Sequence, residues 1–264
     1  MISPRNKTAD QIFQAELNRL NHLYSLNEEG QYVIQVGDVT VHVSLENIRR
    51  DFERDNDEEA VKRFAQQVSI EHFQESSDWQ TAKTLLRYSL EPADYVMGFE
   101  DTLHETITDD LVKVFVLVST DGSRITWVSS TNLSSWNVGR EEILRQANAN
   151  MEQLLEKVTI ECHDIDGVKL GYMVTEELPF KASFILTQGF RELVRPTHDW
   201  PVYIVAPTRD FVYILARKNR NFLGKLGSVV LREYHESGYP ITADVLEIGD
   251  DGITAIGSFR SDSE

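Results

Sequence analysis

Apolar residues recur at helical intervals near the start of the chain, at Phe13, Leu17, Leu20 and Tyr24. Thr8 and Gln11 precede them with the spacing of a capping box, so the pattern predicts an amphipathic helix over 9–26, ended by Gly30. The period then changes. Tyr32–Val36 and Val39–Val43 alternate like strands, and Gly37-Asp38 between them suits a tight hairpin turn. Ser44 is placed to cap a short helix over 45–52. Asp55 with Glu58 forms a further capping pair ahead of a helix whose face is Val61, Phe64, Ala65 and Val68.

The middle of the chain is less periodic. Residues 71–82 are polar and read as a connection, 84–90 fit helix and strand equally, and 92–101 carry Pro, Gly and acids without period. Order returns at Leu111–Val118, an apolar strand whose partner is expected over 124–130 after the turn signal Asp121-Gly122. A helix is predicted near 138–157, capped by Asn137, with Leu144, Ala147, Met151, Leu154, Leu155 and Val158 on one face. Beyond it hairpins and helices alternate. A hairpin over 158–174 turns at Asp166-Gly167, and a helix covers 180–193 between Pro179 and Pro196. Another hairpin, 201–217, turns around Pro207–Asp210. A helix over 222–235 is closed off by Pro240, and a last hairpin over 241–259 turns at Asp250-Asp251. The ends of the chain, through residue 8 and from 260, are expected to be loose.

Helices that fall between hairpins, rather than between single strands, predict an α+β fold of antiparallel hairpins with covering helices. The polar, Pro-containing break divides it into two tightly packed subdomains. These are a helix–hairpin–helix unit over 1–75 and a larger unit of repeated helix–hairpin elements over 76–264.

Charge narrows the functional classes. The 264 residues carry 43 acidic against 26 basic side chains, a net charge of −17 spread over every third of the chain. Duplex nucleic acid and anionic membranes are repelled by such a surface, so neither is an expected partner. No apolar run approaches the ~20 residues of a membrane helix, and the first ten residues lack the apolar core of a secretion signal. A single cysteine excludes an intramolecular disulfide framework. A cytoplasmic, reducing location is expected.

Catalytic and cofactor motifs fail one by one. Neither glycine-rich phosphate motif is present, and no two of the seven histidines have the spacing of a zinc-binding helix. Cys162 and His163 are neighbours in a predicted strand, so their side chains point to opposite faces and cannot share an ion. The run from Asp55 to Glu59 lacks the glycine of a calcium loop and is better read as acids at a helix start. No cofactor or metal is expected. One basic stretch, Arg217, Lys218, Arg220 and Lys225, is free of acids between Asp210 and Glu233 and forms a candidate anion or acidic-partner patch.

Five short motifs occur in order: Ser44-Leu45-Glu46-Asn47 with Phe52, Asp109-Asp110-Leu111, Ala147 with Asn150 and Met151, Pro207 with Arg209-Asp210, and Pro240-Ile241-Thr242. Together they resemble the YtpQ-like family of bacterial proteins, a domain of unknown function, over about 10–258, more loosely around 84–105. The resemblance implies a bacterial, cytoplasmic protein, carries over no catalytic residue, and favours strand over 84–90. It singles out Asn47, Asp110, Asn150, Arg209 and Asp210 as polar residues with either a structural or a binding role. Arg209 is expected at the tip of its turn or folded back onto the sheet, with Asp110 as its partner.

The leading functional expectation is a non-enzymatic protein-binding or adaptor protein whose partner is another polypeptide, since sheet edges and helix grooves take up peptides. The alternatives are an enzyme or small-ligand binder with a site assembled from distant residues, and an acidic immunity-like or nucleic-acid-mimic protein.

Overall fold

A computed structural model describes residues 7–27, 30–36, 39–68, 78–97, 101–119 and 125–260. The predicted turns at Gly37-Asp38 and Asp121-Gly122, most of the 71–82 connection and most of both chain ends lie outside them. The chain is an α+β protein, and every strand pairing among the described residues is antiparallel. No described helix is long and apolar enough to cross a membrane. Two compact units form, one from residues 1–76 with 236–238, the other from 77–235 with 239–264.

The first unit contains α1 (Ala9–Arg19), β1 (Leu23–Leu26), β2 (Tyr32–Val36), β3 (Val39–Val43), α2 (Glu46–Asp55) and α3 (Glu58–Val68), with the sheet in the order β1-β2-β3. Thr8 and Gln11 make both hydrogen bonds of the capping box. The predicted helix over 9–26 stops at Arg19, because Asn21 adopts a left-handed conformation (φ 59°) and turns the chain back. Leu23–Leu26 then form an edge strand on which Leu23 and Leu26 are exposed, and Tyr24 of the expected helical face lies on this strand instead. Asp57, rather than Asp55, accepts the capping bond of α3, from Ala60 N–H, since Asn56 is already the left-handed end of α2.

The core of this unit is Phe13, Leu17, Tyr32, Ile34 and Leu45, all fully buried. Its polar boundary is specified by two carboxylates. Asp10 accepts from both ends of the Arg49 fork at 2.7 and 2.8 Å and from the Tyr32 hydroxyl at 2.9 Å. Burial pushes the Tyr32 phenol up to about 12. Glu16, buried on α1, accepts from Arg19 at 2.7 and 2.9 Å and from Gln66 at 2.6 Å.

The second unit begins with α4 (Trp79–Leu85), β4 (Leu86–Pro92), β5 (His104–Thr106), β6 (Leu111–Val118), β7 (Ile125–Trp127), α5 (Ser130–Trp136) and α6 (Arg140–Leu155). It continues with β8 (Thr159–Ile165), β9 (Val168–Val174), α7 (Phe190–Val194), β10 (Val202–Thr208), β11 (Phe211–Ala216), α8 (Gly227–Glu236), β12 (Asp244–Gly249) and β13 (Gly252–Ser258). Strands β4, β5 and β7 all pair with β6 in one sheet. The other has the order β13-β12-β10-β11-β9-β8. Both sheets contribute to one apolar core, with Tyr88, Phe115, Ala147, Met151, Ile204 and Ile214 among its buried members. A second cluster, including Tyr203, Val205, Leu215, Phe222 and Val230, lies on the other face of the six-stranded sheet. Strand β10 is therefore buried on both faces and reads as a continuous apolar run.

The segment 84–90 spans a junction, with helix up to Leu85 and strand from Leu86. The buried Asn150 amide holds that junction, donating to the carbonyls of Lys83 and Leu86 at 2.8 Å each. The predicted connection over 71–82 ends earlier than expected, because Asp78 caps α4 through Thr81 N–H. Asn137 does not start the long helix. It is the left-handed end of α5 (φ 54°), and Gly139 precedes α6. The predicted helix over 180–193 is broken into 3-10 turns and the short α7. Ala182, Ser183, Phe184 and Ile185 are buried at consecutive positions, which one-sided helical packing does not allow. The predicted helix over 222–235 likewise divides into a 3-10 stretch, Arg217–Lys225, and α8.

Arg19 and Gln66 bonding to its carboxylate holds Glu16 at about 2, below the ordinary 4.5. A depressed folded-state pKa gives stability that is complete above the unfolded value and lost as pH falls from 4.5 towards 2. Thermal unfolding across that window is expected to show a smaller acid loss for Glu16→Gln than for the wild type. Equal losses would show that the contact has no such role.

Candidate functional site

The six-stranded sheet has two outer strands, and their sequences differ in kind. β8 carries Glu161, His163 and Asp164, all exposed. Charges of this sort normally block unwanted strand pairing. β13 reads Gly-Ile-Thr-Ala-Ile-Gly-Ser, with no charge and no proline over seven residues. Among the described residues nothing pairs with its outer side. Ile253 packs on the shared core and Ile256 on the cluster beneath α8, which fixes the strand from both faces. A register shift opposite Val245 and Leu246 marks a bulge near its far end.

A cleft of about 320 Å³ opens beside this edge. Its floor follows from the register. Gly249 pairs with Gly252, and Glu247 with Thr254, so these rungs present the same face of the sheet. Two glycines on one rung leave a hollow where side chains would stand. Gly252 also needs its missing Cβ for conformation, because its φ of +112° lies in the glycine region. Pro201 flanks Gly249 on one side, and Trp200 and Arg217 wall the hollow.

Carboxylates dominate the cleft. Asp250 accepts from Arg191 at 2.7 Å and from the Trp200 indole at 2.9 Å, while the Arg191 guanidinium lies 5.7 Å from the Trp200 ring centre. Glu247 meets Arg217 only at 3.4 Å. Asp251 is exposed and forms no ion pair among the described residues. The site therefore combines unpaired strand backbone, an aromatic wall and surplus negative charge. Such an edge has the backbone groups to pair with a further strand, and the carboxylates and indole ring attract cations.

Of the residues singled out in the sequence, Arg217 lines this cleft and the others lie elsewhere. Asn47 is half-buried on α2 in the first unit, and Asn150 is the buried junction residue described above. Asp210 is exposed and accepts from Thr208 at 2.7 Å within its own turn. In the basic stretch Lys218 pairs with Asp199 and Lys225 with Asp166, each at 2.6 Å, and Arg217 turns towards Glu247. Arg220 is exposed. Three of the four cations of that stretch are thus turned to carboxylates of their own chain. Among the described residues no group of three or more His, Cys, Asp or Glu is placed to hold a metal ion.

Arg209 does fold back, but its partner is Glu91 and not Asp110. Asp110 is exposed at the start of β6 and contributes its backbone carbonyl to Ala93 N–H. Glu91 on β4 is 1% exposed and accepts from Arg209 Nη2 at 2.7 and 2.8 Å. Ser89 also donates to Glu91, and the guanidinium lies 4.8 Å from the centre of the Tyr239 ring. Burial pulls the Arg209 pKa down, and the adjacent Glu91 charge outweighs it, so the group is held above its ordinary value. The surrounding backbone is locked as well: Arg209 N–H donates to Tyr239 O, and Arg209 O accepts from Ala182 N–H.

No family model, no curated protein and no solved structure matches the chain. The resemblance to the YtpQ-like family rests on the sequence motifs alone.

The Glu91–Arg209 pair is a brace, and removing one partner leaves a charge buried. Arg209→Ala is expected to lose ~3 kcal/mol in urea unfolding, while the double variant Glu91→Leu/Arg209→Met recovers most of it. A single variant as stable as the wild type would contradict this role.

Proposed function

We propose that the chain is a non-enzymatic protein-binding or adaptor protein that takes up an extended segment of another polypeptide. The observation that carries this reading is the edge of β13, which is uncharged and has no outer neighbour among the described residues. Main-chain hydrogen bonds to such an edge give affinity without requiring any catalytic group. A single cysteine, half-buried at Cys162, is compatible with a reducing, cytoplasmic setting. Membership of the YtpQ-like bacterial family is part of the same reading.

The experiment is site-specific photo-crosslinking in cells, with the reactive side chain at exposed Ala255 on β13 or at exposed Ser228 on α8. Discrete protein adducts are expected from Ala255 and not from Ser228. They should disappear when a lysine is placed beside the probe by Thr254→Lys. Adducts equally abundant from both positions would overturn the reading.

A further inference from the structure

We propose that the segment docked on β13 is basic, and that one of its lysine or arginine side chains occupies the cleft floored by the Gly249–Gly252 rung. The inference deepens the protein-binding reading and rests on it, since the cleft gains its occupant only from a strand lying alongside β13.

Three features fix the chemistry. The first is register. A strand added outside β13 continues each rung of the sheet by one residue, and side chains alternate between faces. The residue facing Gly252, and the one facing Thr254, therefore project on the face where the cleft lies. The second is space. Nothing lies within 4 Å of where a Cβ of Gly252 would stand, so a long side chain entering from the edge meets a hollow rather than a wall.

The third feature is charge. Glu247, Asp250 and Asp251 line the cleft against a single lining cation, Arg217. Arg191 neutralises Asp250 from beside the cleft, which leaves an excess carboxylate. Glu247 is 25% exposed, and its contact with Arg217 is long, so it retains capacity for a second cation. The Trp200 ring offers an aromatic wall to the same charge. An acidic segment would meet like charge here, and the chain's net charge of −17 favours a basic one at longer range.

The test uses the whole chain and three fluorescent peptides that alternate valine with lysine, threonine or glutamate, titrated by polarisation. The lysine peptide is expected to bind about tenfold more tightly than the threonine peptide, as one charge-assisted contact provides. Glu247→Gln/Asp251→Asn is expected to remove that preference while leaving threonine-peptide binding in place, and Thr254→Lys to weaken all three peptides. Circular dichroism melts verify that each variant is folded. Lysine and threonine peptides that bind equally, and both fail on Thr254→Lys, would overturn the basic occupant but not strand docking. A lysine preference that survives the double variant would reduce it to general attraction by an acidic protein and likewise overturn the cleft. Absence of binding by every peptide would overturn the inference together with the reading beneath it.

Discussion

The contact between Glu91 and Arg209 ties the two sheets of the larger unit together. Glu91 belongs to the sheet built around β6, and Arg209 to the turn between β10 and β11. Their ion pair lies at the margin of a core to which both sheets contribute. Two further hydrogen bonds run alongside it: Leu90 N–H donates to the buried Ser183 hydroxyl, and Ala182 N–H to Arg209 O. Apolar burial provides most of the cohesion, but it is non-directional. The ion pair is directional, and it holds the β10–β11 turn against β4.

The far edge of the six-stranded sheet is built out from that core. β10 is buried on both faces, so β12 lies on a rigid neighbour, and β13 is held on β12 by Ile253 on one face and Ile256 on the other. Among the described residues the strand is thus held without an outer neighbour. The opposite edge is closed to casual pairing by the charges of β8. The sheet is thus asymmetric, charged at one edge and neutral at the other.

Turn chemistry made much of the fold legible in the sequence. Asp166-Gly167 adopts positive φ at both residues, as a two-residue hairpin requires, and the strands on either side fall where alternation placed them. Asp250-Asp251 and the strands at 32–36 and 111–118 were equally readable. Helix ends were not. Asn21 and Asn137 take the left-handed conformation that stops a helix, yet asparagine is also a common first residue, and only the fold decides which role it plays. The stretch 180–193 was misleading because its apolar residues are buried on all sides, and periodicity then no longer distinguishes an α-helix from successive 3-10 turns. For the ionic brace, the sequence identified Arg209 but named the wrong carboxylate. Asp110 and Glu91 lie at the same end of the β4–β6 ladder, on either side of the Pro92–Leu111 rung, so a small difference in placement separates them. Of the cleft, only Arg217 was singled out in the sequence, as part of a basic patch and not of an acidic cleft. Its parts come from residues 200–201, 217 and 247–254, which only the strand order brings together.

Whether β13 accepts a further strand is measured directly by amide hydrogen exchange. With the lysine-bearing peptide at saturation, backbone amides within Ile253–Gly257 should exchange more slowly, because those facing outward gain a strand partner, while the amides of β8 are unchanged. Unaltered exchange along β13 with slowing at β8 or on a helix would contradict the account.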